Sequence, residues 1–150
     1  MADVHTPEVR ARNMRAIRSK DTKPELLIRR GLHASGFRYR LGGCGLPGRP
    51  DLVLPKYKTV IFVHGCFWHG HSCKYFKLPA TRTDFWAEKI SVNQLRDARD
   101  TNRLLEMGWC VIIVWECGLK PLSSKLSPLL ERISALLNDS VKVTGCIELF

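Results

Sequence analysis

The first periodic pattern of apolar residues predicts a helix near the start of the chain. Residues 22–25 read Thr-Lys-Pro-Glu, which is the pattern of a capping box with proline in the first turn. Apolar residues then recur at helical spacing until Gly36, and glycine commonly follows the end of a helix. The predicted helix runs from about Lys23 to Ala34. Its apolar stripe consists of Leu26, Leu27 and Leu32.

Three segments with strand-like patterns follow this helix. Residues 37–41 alternate apolar and polar side chains, as a half-buried strand does. Residues 51–54 and 59–63 are apolar runs on either side of a turn at 55–58, which predicts a hairpin. The second run is apolar throughout, as expected for a strand that is buried on both faces. Residues 42–50 are rich in glycine and proline, and they predict a loop.

The second half of the chain predicts two more helices and one more strand. Apolar residues among charges predict a helix from about Thr83 to Met107, with Gly108 as its stop. Residues 109–115 predict a buried strand, and residues 126–137 predict a last helix. The order helix, three strands, helix, strand, helix predicts an α/β fold in which helices flank a mixed sheet.

The length and the charge of the chain indicate its number of domains and its binding partner. A chain of 150 residues favours a single domain, which we place at residues 21–150. The formal net charge is +10, and nucleic acid is the commonest partner of a compact basic protein. Residues 1–20 carry several of these charges and predict a basic arm or short helix. No apolar run resembles a signal peptide or a membrane span. This absence predicts that the protein is located in a reducing cytoplasm.

One short segment, residues 66–73, concentrates side chains that bind metal ions. It contains two cysteines and two histidines, and thiolate and imidazole are the ligands that tetrahedral zinc prefers. Cys66 and Cys73 are therefore candidate zinc ligands, together with either His69 or His71, because both histidine spacings suit zinc. Without a secretory signal, metal binding is favoured over disulfide formation for these cysteines.

The fourth zinc ligand would come from another part of the chain. Cys117 is the preferred candidate, because it follows the strand that ends at Trp115 and emerges at the same end of the sheet as Cys66. Cys44, on the glycine-rich loop, is the alternative. A site of three cysteines and one histidine has no open position, and it would be structural.

A second group of polar residues is predicted at the same end of the sheet. Asp51 begins one hairpin strand and His64 ends the other, so the pairing of the strands places Asp51 beside Val63 and His64. Carboxylate and carbonyl oxygens bind Mg²⁺, which takes part in phosphodiester cleavage. His64 and His69 could exchange protons with water and phosphate. A metal-dependent nuclease uses these residues together, whereas a passive binding module or a zinc hydrolase does not.

In these motifs the chain resembles the Vsr endonucleases, the nicking enzymes of very-short-patch mismatch repair. The most specific blocks are 46–51, Leu-Pro-Gly-Arg-Pro-Asp, and 60–69, Val-Ile-Phe-Val-His-Gly-Cys-Phe-Trp-His. Shorter matching stretches occur at 13–17, 79–83, 85–86 and 114–117. Beyond Gly118 we recognise no motif of this family.

The resemblance implies a restriction-endonuclease-like core, Mg²⁺ dependence and a structural zinc. It also implies a nick on the 5′ side of the thymine in a T:G mismatch left by deamination of 5-methylcytosine. Asp51 would bind Mg²⁺ together with the backbone carbonyl of Val63. His69 would activate water, His64 would assist at the phosphate, and Glu25 would orient His69. The implied zinc ligands are Cys66, His71, Cys73 and Cys117.

The resemblance further implies how the mismatch is bound. Phe67, Trp68 and Trp86 would enter the duplex from the major groove, and Met14 would enter from the minor groove. Unstacking a T:G wobble pair from its neighbours costs less free energy than unstacking a Watson–Crick pair, so inserted side chains favour a mismatch. The implied protein is a monomer at the nucleoid, with mismatched double-stranded DNA and a MutL-type repair protein as partners and no membrane. The alternative function is a zinc-stabilised DNA-binding module without catalysis.

Overall fold

The computed structural model describes residues 22–74, 76–139 and 145–150. Its helices are α1 (Lys23–Ala34), α2 (Thr83–Glu106) and α3 (Leu122–Asn138), and its strands are β1 (Leu52–Leu54), β2 (Thr59–His64), β3 (Cys110–Trp115) and β4 (Cys146–Leu149). The basic arm predicted for residues 1–20, including Met14, lies outside the described residues.

The strands form one mixed sheet in the order β1-β2-β3-β4. The β1 and β2 strands pair antiparallel as the predicted hairpin, while β2 with β3 and β3 with β4 pair parallel. Parallel neighbours need a long crossover, and the helices α2 and α3 lie in these two crossovers. The predicted α/β class with a mixed sheet is therefore confirmed.

Two strand predictions differ from the structure. Residues 37–41 are not a strand, because their contact with the sheet is a single bridge between Arg40 and Val53. Their alternation has another cause: Phe37 is buried, and its ring packs edge-on against Tyr57. The strand β4 was missed, since its few residues carry little pattern of their own and are ordered by pairing with β3.

The predicted ends of α1 are confirmed, but its predicted apolar stripe is wrong in part. The Thr22 hydroxyl caps the helix by accepting a hydrogen bond from the Glu25 N–H at 3.4 Å. Its buried residues are Glu25, Ile28 and Leu32, which lie in one row at the helical period. Of the predicted leucines, Leu26 and Leu27 are only half-buried. The last helix is also longer than predicted, since α3 begins at Leu122.

The two faces of the sheet are covered differently. On one face, α1 and α3 pack a continuous core around Ile112 and Ile133. On the other face α2 buries only Ile90 and Leu104, although it is 24 residues long. The middle of α2 therefore leaves space above the sheet, and the candidate site lies there. Each helix among the described residues is either too short or too polar to span a lipid bilayer.

Candidate active site and metal centre

The predicted contact between the two hairpin strands is present. The Val63 N–H donates a hydrogen bond of 2.7 Å to Asp51 Oδ2. Beside it lies a cavity of about 750 Å³. The cavity is lined by residues with titratable side chains and by residues of β2. They are Glu25, Arg49, Asp51, Phe62, Val63, His64, His69, Asp97 and Asp100.

Asp51 occupies a position where an ionised carboxylate is disfavoured. Burial raises the pKa of Asp51 to about 6; the Val63 hydrogen bond opposes this shift, and the charge of Glu25 adds to it. A divalent cation would reverse the balance, because it stabilises the ionised form. The Asp51 carboxylate therefore has the chemistry of a Mg²⁺ ligand, and Mg²⁺ bound there would act as a Lewis acid toward a phosphate.

His69 lines the cavity and is paired with Asp97, a residue that the sequence motifs did not indicate. His69 Nδ1 and Asp97 Oδ2 lie 2.5 Å apart. A carboxylate only accepts hydrogen bonds, so Nδ1 carries the proton and Nε2 is left as the basic nitrogen. Glu25 is predicted to orient His69, and the contact that the structure shows at His69 Nδ1 is with Asp97. Glu25 lines the same cavity and lies 3.7 Å from Arg29 Nη1.

A signal for Asp97 exists in the helical period of α2. Gln94, Asp97 and Thr101 lie in the same row as the buried Ile90 and Leu104. When polar side chains occupy the positions at which a helix would pack on a sheet, they indicate a cavity between the helix and the sheet. Asp97 is hard to recognise in the sequence, because the charged residues around it are typical of an ordinary solvated helix face.

His64 lies against His69 in a parallel stack. The ring centroids are 3.7 Å apart and the rings are inclined by 4°. Burial lowers the pKa of His64 to about 3, and the charge of His69 acts in the same direction. Its Nδ1 is buried without a hydrogen-bond partner among the described residues. His64 is therefore neutral near pH 7, and it offers hydrogen bonding rather than positive charge.

The four residues of the implied zinc site come together. Ligand atoms of Cys66, His71, Cys73 and Cys117 all lie within 4.8 Å of one another, and Cys117 Sγ is 3.5 Å from His71 Nδ1. These spacings suit the corners of a tetrahedral zinc site. Of the alternative ligands that the sequence leaves open, His69 pairs with Asp97, and Cys44 is exposed and lies outside this group.

The chemistry of these donors also suits a metal ion. Burial raises the pKa of the Cys66 thiol to about 12, so without a cation this thiol keeps its proton. A zinc ion binds the thiolate and displaces that proton. His71 also stacks on the buried Trp115, with ring centroids 4.1 Å apart. We call this set of four residues the metal-ligand cluster.

Helix α2 fixes the loop that carries both sites. Gln94 Nε2 donates to the carbonyls of His69 and Gly70 at 3.3 and 3.2 Å, and Asn93 Nδ2 donates to the carbonyl of Trp68 at 3.0 Å. Gly70 has a φ of +63°, and a Cβ there would lie 2.4 Å from Gln94 Nε2. The loop can approach α2 this closely because residue 70 has no side chain.

The predicted DNA-contacting aromatics form one half-buried group. Trp86, at the start of α2, has ring centroids 5.4 Å from Phe67 and 5.7 Å from Trp68. We call Phe67, Trp68 and Trp86 the aromatic group. All three rings keep some solvent exposure, so a planar ligand could reach them. Met14, the fourth predicted contact, lies outside the described residues.

Comparison with known proteins gives consistent results. A family model described as DNA mismatch endonuclease Vsr matches residues 2–75. DNA mismatch endonuclease Vsr of Escherichia coli strain K12 is 54% identical over 120 residues, which are 80% of this chain and 77% of that protein. Type II nicking enzyme V.NmeAIP of Neisseria meningitidis serogroup A is 51% identical over 120 residues, covering 80% and 86%. Type II nicking enzyme V.XorIIP of Xanthomonas oryzae pv. oryzae is 45% identical over 140 residues, covering 93% and 100%.

Proposed function

Because the chain belongs to the Vsr family of DNA mismatch endonucleases, we propose that it nicks one strand of double-stranded DNA at a mismatch. The proposed substrate is a T:G pair that arises from deaminated 5-methylcytosine, and the proposed cut lies 5′ of the thymine. The observation that carries this proposal is the meeting of Asp51, His64, His69 and Asp97 at one cavity. The nuclease mechanism proposed below uses all four residues.

The proposed chemistry begins with a water molecule beside His69. The basic Nε2 accepts a proton from this water, and the oxygen of the water then attacks the phosphorus of the scissile phosphate. The bond from phosphorus to the leaving sugar oxygen breaks, and that oxygen takes up a proton from solvent. Asp97 holds the imidazole in the required tautomer and stabilises its positive charge.

The other residues at the cavity would position the phosphate and the metal. Asp51, with the backbone carbonyl of Val63, would hold Mg²⁺ beside the phosphate. His64 would contact the phosphate as a neutral hydrogen-bonding group, because burial holds the pKa of His64 near 3. Glu25 lines the same cavity, and its carboxylate would contact the metal through a bridging water molecule.

The metal-ligand cluster would have a structural role in this enzyme. Four protein ligands complete a tetrahedral zinc ion and leave no position for water or phosphate. Zinc held by Cys66, His71, Cys73 and Cys117 would anchor the loop that carries His69. The catalytic base would thus depend on the zinc for its position and not for its chemistry.

DNA binding would combine general attraction with local distortion of the duplex. The net charge of +10 supports binding to any duplex through its phosphates. The aromatic group would insert beside the mismatch, where unstacking costs least. On the family resemblance alone, we extend the proposal to a monomer that acts beside a MutL-type repair protein.

The test is strand cleavage of two duplexes that differ only in one T:G or T:A pair. Each is incubated with and without Mg²⁺, and the products are resolved by strand. A single nick 5′ of the mismatched thymine, seen only with metal, is the expected result. Tight binding of both duplexes without cleavage, with zinc bound and flanking sequence varied, would favour the binding module instead.

A further inference from the structure

The cavity at Asp51 has an unusual balance of charge. Four carboxylates line it, from Glu25, Asp51, Asp97 and Asp100. Phosphodiester hydrolysis adds negative charge to the phosphate oxygens in the transition state. Fixed positive charge at such a site would offset the repulsion between the carboxylates and the phosphate, and would add to the effect of any bound metal.

Arg49 is the only arginine or lysine among the described residues that line this cavity. Its side chain is exposed, and within residues 22–74, 76–139 and 145–150 its guanidinium makes no hydrogen bond or ion pair. The carboxylates nearby have other partners: Asp97 pairs with His69, and Asp100 lies 3.3 Å from Arg99 Nε. The Arg49 guanidinium is therefore available to a ligand.

The backbone at Arg49 is held in a conformation that arginine rarely adopts. Its φ is +49°, a left-handed value that is unfavourable for a residue with a Cβ. The Arg49 N–H donates to the Leu46 carbonyl at 3.2 Å, and a Cβ on Gly43 would lie 2.8 Å from the Arg49 Cα. The loop thus fixes the start of this side chain tightly, and glycine or asparagine would suit the position better.

We propose that Arg49 is a catalytic residue whose guanidinium binds the non-bridging oxygens of the scissile phosphate. The planar group can donate two parallel hydrogen bonds to such oxygens. It lies two residues before Asp51, so one rigid segment presents the cation and the metal-binding carboxylate to the same phosphate. The inference rests on the proposed nuclease function and adds a transition-state contact to it.

The test compares Arg49→Gly with Lys58→Gly. Lys58 also has a left-handed φ, of +50°, but it lies at the hairpin turn, at the opposite end of the strands from Asp51. Both variants lose one positive charge and gain a glycine suited to the backbone. Lys58→Gly also removes the contact of Lys58 Nζ with the Trp109 ring, 4.3 Å from the ring centroid. The readouts are the single-turnover nicking rate at saturating enzyme and the Kd for the T:G duplex.

Arg49→Gly should lower the saturated nicking rate about 100-fold, as loss of a preorganised transition-state donor does. Its Kd should change by no more than about threefold relative to that of Lys58→Gly, because each variant loses one electrostatic contact at most. Added guanidinium ion should restore part of the rate of Arg49→Gly and leave the rate of Lys58→Gly unchanged.

A saturated rate within about threefold of the wild-type rate would overturn the assignment of Arg49, while nicking by the wild-type protein would still support the proposed function. A loss that disappears at saturating enzyme would also overturn it, because Arg49 would then contribute to binding alone. If Arg49→Gly does not fold, as judged by circular dichroism and zinc content, Arg49→Asn provides the same test, since asparagine tolerates the left-handed conformation.

Discussion

His69 and His71 are separated by one residue, yet they belong to opposite kinds of site. His69 contacts the carboxylate of Asp97 at the edge of a cavity. His71 lies among the thiols of the metal-ligand cluster and stacks on Trp115. Gly70, between them, lets the chain turn sharply against α2. One short loop therefore supplies a candidate base to one site and a candidate metal ligand to the other.

The two sites differ in the chemistry of their ligands and in whether a substrate can reach them. The metal-ligand cluster has four donors facing one another, which suits a closed structural site. The cavity has carboxylates and imidazoles around open space, which suits a substrate and a labile hard cation. The comparison indicates that stability of the loop and chemistry on DNA are separate tasks of adjacent residues.

The largest effect on the cavity is expected from Asp51→Asn. The nicking rate should fall by at least about 1,000-fold, because the metal contribution to catalysis amounts to several kcal/mol. Zinc content should stay unchanged, since the metal-ligand cluster is untouched. Glu131→Gln, an equal loss of charge on the exposed side of α3, is the control and should nick normally. A variant of Asp51 that nicks at the wild-type rate would remove Asp51 from the mechanism.

The same Asp51→Asn change should stabilise the protein when no Mg²⁺ is present. Because the pKa of Asp51 is raised to about 6 in the fold, its ionised form is disfavoured there, and wild-type stability falls as the pH rises from about 4 to about 6. Above pH 6 the variant should have a higher free energy of unfolding by up to about 3 kcal/mol, and the difference should vanish near pH 4. Denaturant unfolding at both pH values measures it; equal stabilities at pH 7 would contradict it.

The next largest effect is expected from Cys117→Ser, which breaks the metal-ligand cluster alone. Loss of one ligand should empty the zinc site and disorder residues 66–74, at a cost of several kcal/mol in unfolding free energy. Zinc content and proteolysis of the loop measure this change. Cys44→Ser, at an exposed cysteine outside the cluster, should leave both unaltered. Full zinc occupancy in purified Cys117→Ser would exclude Cys117 as a ligand.

A smaller effect is expected from Asp97→Asn, which alters the cavity without removing its metal ligand. An amide can hold His69 in the wrong tautomer, so the nicking rate should fall by roughly 100-fold or more. The Kd for the T:G duplex and the stability should change little, because Asp97 is only half-buried. An unchanged rate would show that the pair with His69 is not used in catalysis.

The smallest effect is expected from Trp68→Ala in the aromatic group. Loss of one inserted ring should reduce the preference for T:G over paired duplexes by about tenfold, because base stacking on an aromatic ring contributes about 1–3 kcal/mol. Total affinity should change less, since phosphate contacts remain. Parallel binding curves on the two duplexes measure it, and equal losses on both would argue against insertion.

The sequence predicted those parts of the fold and site that depend on neighbouring residues. The cap at Thr22, the hairpin of β1 and β2 and the contact of Asp51 with Val63 all follow from local patterns. The missed parts depend on distant contacts. Asp97 meets His69 across 28 positions, and β4 is ordered by pairing with β3. Residues 37–41 show the reverse case, since an alternating pattern there reflects core packing and not a strand.

The most direct test of the division between the two sites is to vary their metals separately. The purified protein is treated with EDTA, assayed for bound zinc and tested for nicking of the T:G duplex with Mg²⁺ or with added zinc. We expect one tightly bound zinc per chain, no nicking without Mg²⁺ and full recovery when Mg²⁺ alone is restored. Nicking supported by zinc without Mg²⁺ would contradict this division and would make the histidines at the cavity ligands of a catalytic zinc.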